Sequence, residues 1–593
     1  MKQLITRWGK EIQKNDVLQE YPRPDFVRDS YYNLNGIWEY AITKTEQTDV
    51  YAGEILVPFS PETVLSGVSR IVLPGDYLHY RKEFRLPGSF CKGRVFLHFG
   101  AVDQECEVFL NGSKLGGHKG GYLPFSFEIT KALFEEDNVL TLCVTDSTEE
   151  RPHARGKQKL KKRGKYKSLF YTPSSGIWKT VWLESVPEQY IRSVRITPDY
   201  DDSSVKIMID AKGSLEEVHL RITQKDVIVS ELNVSVNREA VIKMQNFHAW
   251  SPDAPNLYDV EFTYGEDRVV SYFGMRKYAV GIDGKGVPRF YLNNKPYFFN
   301  GLLDQGYWPE SLMTPPSDEA LTYDIRKMKE LGFNTLRKHI KVESERFYYH
   351  CDKIGMIVWQ DMPNGGGDYH MGLVTYLPNA SDWFARHMKD HWYAALKRSD
   401  RTGREQYYAD LEGMIRLLYN HPSIAVWVPF NEGWGQFDAS KATALIRKAD
   451  CSRLINEACG WFDQKGGDMY SIHNYIKRLK VVPQRERVAA LTEYGGYSYP
   501  AEGHTACDKE FGYRTYASKE DLTASYQRLW EEELLPNLER GLCSAIYTQL
   551  SDIEEEINGM MTYDREVDKM NENVVKRLNQ KLYKRFRELT DPL

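Results

Sequence analysis

The chain has 593 residues, 41% of them hydrophobic and 27% charged, a globular composition that excludes a collagen-like or disordered polymer. Its formal net charge of -5 favours neither a nucleic-acid partner nor an anionic membrane, and no run approaches the roughly 18 apolar residues of a membrane-spanning helix. Aromatic residues reach 13%, with 39 Tyr and 13 Trp; such rings stack on sugars or bases, but core packing is their default role.

The first residues, MKQLITRWGKEIQKND, contain no apolar stretch and no small-residue cleavage site. No signal peptide is expected, and a cytoplasmic location is predicted. The eight cysteines are widely spaced and include no CxxC, so free thiols are expected rather than disulfides or a zinc site.

Residues 1–190 read as β-structure. Short alternating runs such as RVFLHFGAV (94–102), ECEVFLNG (105–112), NVLTLCVTD (138–146) and WKTVWLESV (178–186) are separated by turn residues. Asn111-Gly112 is a two-residue hairpin signal, because both residues tolerate φ > 0. An antiparallel sandwich is predicted. From Arg155 to Lys167, eight of thirteen residues are Lys or Arg. Two readings apply: a solvated loop, or a mobile basic loop that meets an anionic substrate or another subunit. Residues 191–278 carry further regular short strands, SVRITPDY, SSVKIMIDA, EEVHLRITQ and YDVEFTYG. They predict a smaller sandwich of immunoglobulin-like size.

Residues 279–593 switch to strand followed by helix. Eight strands are predicted, at 296–303, 333–340, 356–362, 424–431, 453–458, 468–473, 488–494 and 543–550. Leu321, Ile325, Met328 and Leu331 recur at helical spacing behind Ser317 as an N-cap. Tyr408, Leu411, Met414 and Leu418 do the same over 405–420, and Asn420-His421-Pro422 stops that helix. This pattern fits a (β/α)8 barrel. A doubly wound sheet would want a glycine-rich phosphate turn, and no GxGxxG or GxxxxGK[ST] is present.

Barrel enzymes carry their reactive groups at the C-terminal ends of strands. The fourth predicted strand ends in Asn431-Glu432-Gly433-Trp434 and the seventh in Thr492-Glu493-Tyr494. The third ends at Asp361, the second at Arg337-Lys338-His339 and the sixth at His473-Asn474-Tyr475. Two glutamates across one barrel mouth suit retaining glycoside hydrolysis, in which one carboxylate attacks the anomeric carbon and the other protonates the leaving oxygen. An Asn beside one of them can donate to the sugar 2-hydroxyl, and a Tyr near the other can keep a nucleophile ionised.

NHPSIAVWVPFNEGWGQ (420–436) resembles the acid/base motif of glycoside hydrolase family 2, and LTEYGG (491–496) resembles its nucleophile strand. The resemblance extends through YYNLNGIWEYAI (31–42), GGYLPFSFEIT (120–130), SSGIWKTVWLE (174–184), FGMRKYAV (273–280), LGFNTLRKHI (331–340) and EEEINGMMTYDRE (554–566). It implies a jelly-roll sugar-binding domain (1–190), an immunoglobulin-like β-sandwich (191–278) and a catalytic TIM barrel (279–593). It implies that Glu432 is the general acid/base, Asn431 its 2-hydroxyl partner, Glu493 the nucleophile and Tyr475 a contact of the nucleophile. Arg337, His339, Asp361, His473, Asp304 and Trp434 complete the predicted substrate-binding set, with Trp434 a platform beside the leaving group. Gln305, Tyr307 and Trp308 are of types suited to sugar hydroxyls and stacking.

The sequence also departs from common family patterns. His339 stands one place early, and the Pro that often follows is absent. VWQDMP (358–363) resembles β-mannosidases, whereas FNEGWGQ lacks the mannosidase form of the acid/base strand. β-Glucuronidases recognise a carboxylate with an Asn-x-Lys after the eighth strand; here that region reads LSDIEEEINGMMTYDREVDK (550–569), with no Asn-x-Lys. In its place Asp552, Glu554, Glu555 and Glu556 would repel an anionic sugar if they faced the site. The expectation is therefore a retaining exo-β-glycosidase acting on β-D-galactosides or the related α-L-arabinopyranosides. A β-glucuronidase or β-galacturonidase, and a non-catalytic carbohydrate-binding protein, are the alternatives. No cofactor and no metal are predicted: some large members hold Mg²⁺ beside the acid/base residue, but no cluster near Glu432 calls for it in the sequence. The expected partner is a carbohydrate. Family members are often homo-oligomers, with no interface legible here.

Overall fold

The computed structural model describes residues 3–148, 153–160, 169–508 and 510–590. Residues 161–167 of the basic run lie outside the described residues.

The first domain is a sandwich of two antiparallel sheets. A six-stranded sheet pairs Gly53–Val57, Gly36–Thr43, Tyr77–Arg85, Asp137–Thr145, Glu105–Leu110 and Ser113–Lys119 in that order. A four-stranded sheet joins Tyr32–Asn33, Val181–Val186, Arg94–Phe99 and Phe125–Glu128. Period-2 alternation decides which side is buried: Asn138, Leu140, Leu142 and Val144 point inward along one strand. Asn111 and Gly112 both adopt positive φ, at 52° and 77°. They close a hairpin in which Leu110 faces Ser113.

The second sandwich sets a three-stranded sheet (Tyr190–Asp199, Ser204–Lys212, Glu239–Lys243) against a four-stranded one (Val227–Ser235, Glu217–Gln224, Tyr258–Tyr264, Asp267–Phe273). The first 30 residues serve the other domains as well as the first. Trp8 packs edge-on against Trp308 at 6.1 Å, and Val27 bridges to Val270 in the second sandwich.

Eight parallel strands form the barrel: β1 Phe299–Asp304, β2 Thr335–Lys338, β3 Ile357–Asp361, β4 Ile424–Val428, β5 Leu454–Ile455, β6 Met469–Asn474, β7 Val488–Gly495 and β8 Leu542–Thr548. Their order is 5-4-3-2-1-8-7-6, with no ladder between β5 and β6 among the described residues. Most are buried along their whole length, as near-continuous hydrophobic strands covered on both faces must be. The Ser317 hydroxyl accepts from the Ala320 N–H and starts the helix Asp318–Glu330. The next predicted helix begins earlier than its apolar periodicity shows, at Arg401, because Asp400 caps the Gly403 N–H and the first turn carries no large apolar residue. Among the described residues no helix is long and apolar enough to cross a membrane.

Candidate active site

Glu493 lies near the end of β7, buried with 4% exposure. Glu432 lies four residues beyond β4. Its N–H donates to the Cys459 carbonyl at 2.8 Å, and its own carbonyl accepts from Trp461 Nε1 at 2.8 Å. Glu432 takes a positive φ of 51°. Gly433 follows at φ 66°, where a Cβ would stand 2.3 Å from the Phe462 ring, so glycine is required for this turn. The turn aims Glu432 across the mouth. One carboxylate oxygen of Glu432, one of Glu493 and a ring nitrogen of His473 all lie within 4.8 Å of one another.

His473, at the end of β6, links the pair. Its Nδ1 is 2.8 Å from Glu432 Oε1 and 3.5 Å from Glu493 Oε2, and its Nε2 is 3.3 Å from Cys459 Sγ. Burial opposes a charge on this ring, but Glu493, Cys459 and the Glu432 hydrogen bond raise its pKa to about 10. It is an imidazolium at neutral pH.

Arg337 on β2 is fully buried and fixes the floor. It donates to Glu493 Oε1 at 3.0 Å, to Asn431 Oδ1 at 2.7 Å, and through two nitrogens to Asp361 at 3.0 and 2.9 Å. Because Arg337 occupies Asn431 Oδ1, the amide must present Nδ2 outward, and this buried nitrogen has no hydrogen-bond partner among the described residues. Tyr475 donates to Glu493 Oε2 at 2.5 Å, and its ring stacks on Tyr513 at 3.8 Å.

The two glutamates are driven apart. Burial alone would raise Glu493, but the charges of His473 and Arg337 outweigh it and hold its pKa at about 2. Burial and the adjacent Glu493 charge raise Glu432, against the pull of His473 and Lys157. The set Glu432–His473–Glu493 has the composition of a cation site, which the sequence did not reveal. A metal ion there would have to displace the proton that Glu493 and Glu432 favour on His473.

Three predicted contacts are placed differently from expectation. Asp361 accepts from Arg337 and lies 2.8 Å from His339 Nδ1, so its oxygens orient those two side chains. Asp304 pairs with Lys338 at 2.7 Å and accepts from the Gly306 N–H, in a network separate from the Glu432–Glu493 pair. Trp434 is 2% exposed and packs against Phe170 and Tyr369, forming wall rather than a free platform. Trp308 is likewise core, against Trp8. The acidic cluster is also engaged: Asp552 binds Lys569 at 2.7 Å, Glu554 accepts from the Thr172 N–H at 3.0 Å, and Glu556 accepts from Tyr171 Oη at 2.5 Å.

Sequence reasoning missed Lys157 and Tyr513. Lys157 belongs to the basic run, whose described part is not a solvated loop: Arg155, Lys157 and Gln158 are all buried. Its Nζ lies 5.7 Å from the Trp434 ring centre and 5.4 Å from that of Tyr171. The charge run was the only signal for Lys157, and nothing local marked Tyr513.

Three family models match in chain order: "Glycosyl hydrolases family 2, sugar binding domain" over 61–187, "Glycosyl hydrolases family 2" over 189–276, and "Glycosyl hydrolases family 2, TIM barrel domain" over 285–535. A β-galactosidase of Thermoanaerobacter pseudethanolicus is 27% identical over 452 residues, covering 72% of this chain and 54% of that protein. The chain spans about half the length of the curated relatives it matches. A solved β-glucuronidase from an uncultured Clostridium sp. superposes with a TM-score of 0.71 at 18% identity, over 94% of this chain and 99% of that one. A β-galacturonidase of Eisenbergiella tayi bound to galacturonate gives 0.68 at 17%, over 96% and 99%. At these identities the solved structures show a common fold.

Proposed function

Because the chain belongs to glycoside hydrolase family 2, we propose that it is a retaining exo-β-glycosidase that removes terminal sugars by double displacement. The observation that carries this reading is the buried glutamate pair, close in space and shifted in opposite directions. Retaining enzymes hold their carboxyl groups about 5–5.5 Å apart, whereas inverting enzymes need about 6.5–9.5 Å to admit a water.

In this mechanism Glu493, ionised and aimed by Arg337 and Tyr475, attacks the anomeric carbon. Glu432, whose pKa is raised by burial and by the adjacent Glu493 charge, gives its proton to the leaving oxygen. Asn431 Nδ2 donates to the 2-hydroxyl, a bond that strengthens as the oxocarbenium character develops. Glycosylation removes the Glu493 charge that raised Glu432. Glu432 then ionises more readily and deprotonates the attacking water.

The first substrates to try are β-D-galactosides and α-L-arabinopyranosides. Uronides form the second reading, favoured by the buried cation Lys157. The test is a panel of p-nitrophenyl glycosides: β-D-galactoside, β-D-glucuronide, β-D-galacturonide, β-D-mannoside, β-D-glucoside and α-L-arabinopyranoside. At least one is expected to be cleaved, and azide is expected to rescue Glu432→Ala with formation of a β-glycosyl azide. An α-azide product would contradict retention. Inertness towards every glycoside would favour a carbohydrate-binding protein.

A further inference from the structure

Lys157 enters the barrel mouth from the first domain on a segment that is fixed residue by residue. The Arg155 and Gly156 N–H groups donate to the Asn364 carbonyl at 2.8 and 3.0 Å. The Arg155 guanidinium donates to the Gly366 carbonyl and covers the Tyr369 ring at 4.9 Å. Gln158 Nε2 donates to Asp103 at 2.7 Å, and the Tyr171 N–H donates to the Lys157 carbonyl at 2.9 Å. Gly156 adopts φ +64°, where a Cβ would stand 2.8 Å from the Ile340 carbonyl just past β2. Only glycine lets the chain ride this close to the barrel.

This anchoring delivers one cation. Lys157 is 6% exposed, and among the described residues it makes no ion pair. Glu556, beyond Tyr171, is taken by Tyr171 Oη and by Asn558 Nδ2 at 3.1 Å. The Lys157 charge is nonetheless felt inside the site. It acts downward on Glu432, behind the larger effects of burial, Glu493 and His473, and it adds to burial in lowering His339. A nearly buried ammonium with no counter-ion is costly, and an anionic ligand would remove that cost.

Resting on the glycosidase reading, we infer that Lys157 is a specificity-determining residue that pairs with an anionic group on the sugar beside Glu493. Of the two substrate readings this selects the uronides, whose charge is then read by the sugar-binding domain, since residues 550–569 after β8 contain no Asn-x-Lys.

The test compares wild type, Lys157→Met and Lys157→Arg on p-nitrophenyl β-D-galacturonide, β-D-glucuronide, β-D-galactoside and 6-O-sulfo-β-D-galactoside. The shared leaving group confines differences to the glycone, and the sulfated sugar separates a carboxylate requirement from any anion. Wild type should prefer a uronide. Lys157→Met should lower the uronide-to-galactoside ratio of kcat/KM roughly 100-fold, with Lys157→Arg retaining part of the preference. A wild-type preference for the galactoside, or an equal fall on all substrates with Lys157→Met, would overturn the inference; the second result would make Lys157 a partner of Glu432 alone. A preference for the sulfated sugar over both uronides would overturn the carboxylate assignment. Calorimetry with free D-galacturonate and D-glucuronate gives a readout independent of turnover. Binding lost in Lys157→Met supports the inference even if no glycoside is cleaved, a result that would sink only the glycosidase reading; wild type binding neither acid would count against Lys157.

Discussion

Two buried charge networks share the rim of this barrel, and they are finished differently. At the ends of β1 and β2, Glu343 accepts from Lys341 at 2.6 Å and lies 3.3 Å from Lys338. Lys338 also pairs with Asp304. Lys341 donates further to the Gly306 and Met313 carbonyls at 2.6 and 2.7 Å, so each charge is answered from within. Across the mouth, Arg337, Asp361, Glu432 and Glu493 are also buried, as is the His473 side chain, yet among the described residues Asn431 Nδ2 has no hydrogen-bond partner and Lys157 has no ion pair. A saturated network holds a fold together, whereas one with open valences is shaped for a ligand.

The largest expected effect lies in the open network. Glu493→Gln should lower kcat on an aryl glycoside by about 10³-fold or more while leaving the melting temperature near that of wild type. A residual rate of a few per cent would remove Glu493 from the nucleophile role.

In the saturated network the loss should fall on stability. Glu343→Gln strands the buried Lys341 ammonium and leaves Lys338 with Asp304 alone, at a cost of about 3–5 kcal/mol, seen as a lower melting temperature. Burial would raise Glu343, but Lys341 and Lys338 outweigh it and lower its pKa. Its contribution is therefore present above the ordinary carboxylate pKa and lost as pH falls through the lowered value, so the difference from wild type should narrow in acid. A variant that melts like wild type but has lost turnover would erase the contrast between the two networks.

The smallest effect sharpens the comparison. His473→Asn removes the cation that holds Glu493 down and the hydrogen bond that restrains Glu432. Both pKa values should rise, shifting the acid limb of kcat/KM upward by about one pH unit, with the basic limb following. A uniform drop in rate with an unmoved profile would reduce His473 to a packing role.

Much of this architecture was legible in the chain itself. The eight barrel strands are short apolar runs bounded by turn residues, and all eight form where those runs predict, because a strand buried on both faces needs little more than continuous hydrophobicity. Asn111-Gly112 and Ser317 fixed a turn and a helix start through local backbone chemistry. Glu432 and Glu493 could be found because a barrel exposes the ends of its strands in register, so position along the chain reports position at the mouth.

What the tertiary structure alone decided is the work each charge does. Asp304 and Asp361 look equivalent as carboxylates at strand ends, but one is neutralised by Lys338 and the other spent on Arg337 and His339. Trp434 becomes wall because Phe170 and Tyr369 cover it. Lys157 reaches the site from about 275 residues before Glu432, and no periodicity predicts where a basic loop will dock. Sequence determines local conformation and the burial pattern, since both depend on near neighbours and solvent. The partner of a buried charge depends on which distant segments meet, and that is set only when the domains pack.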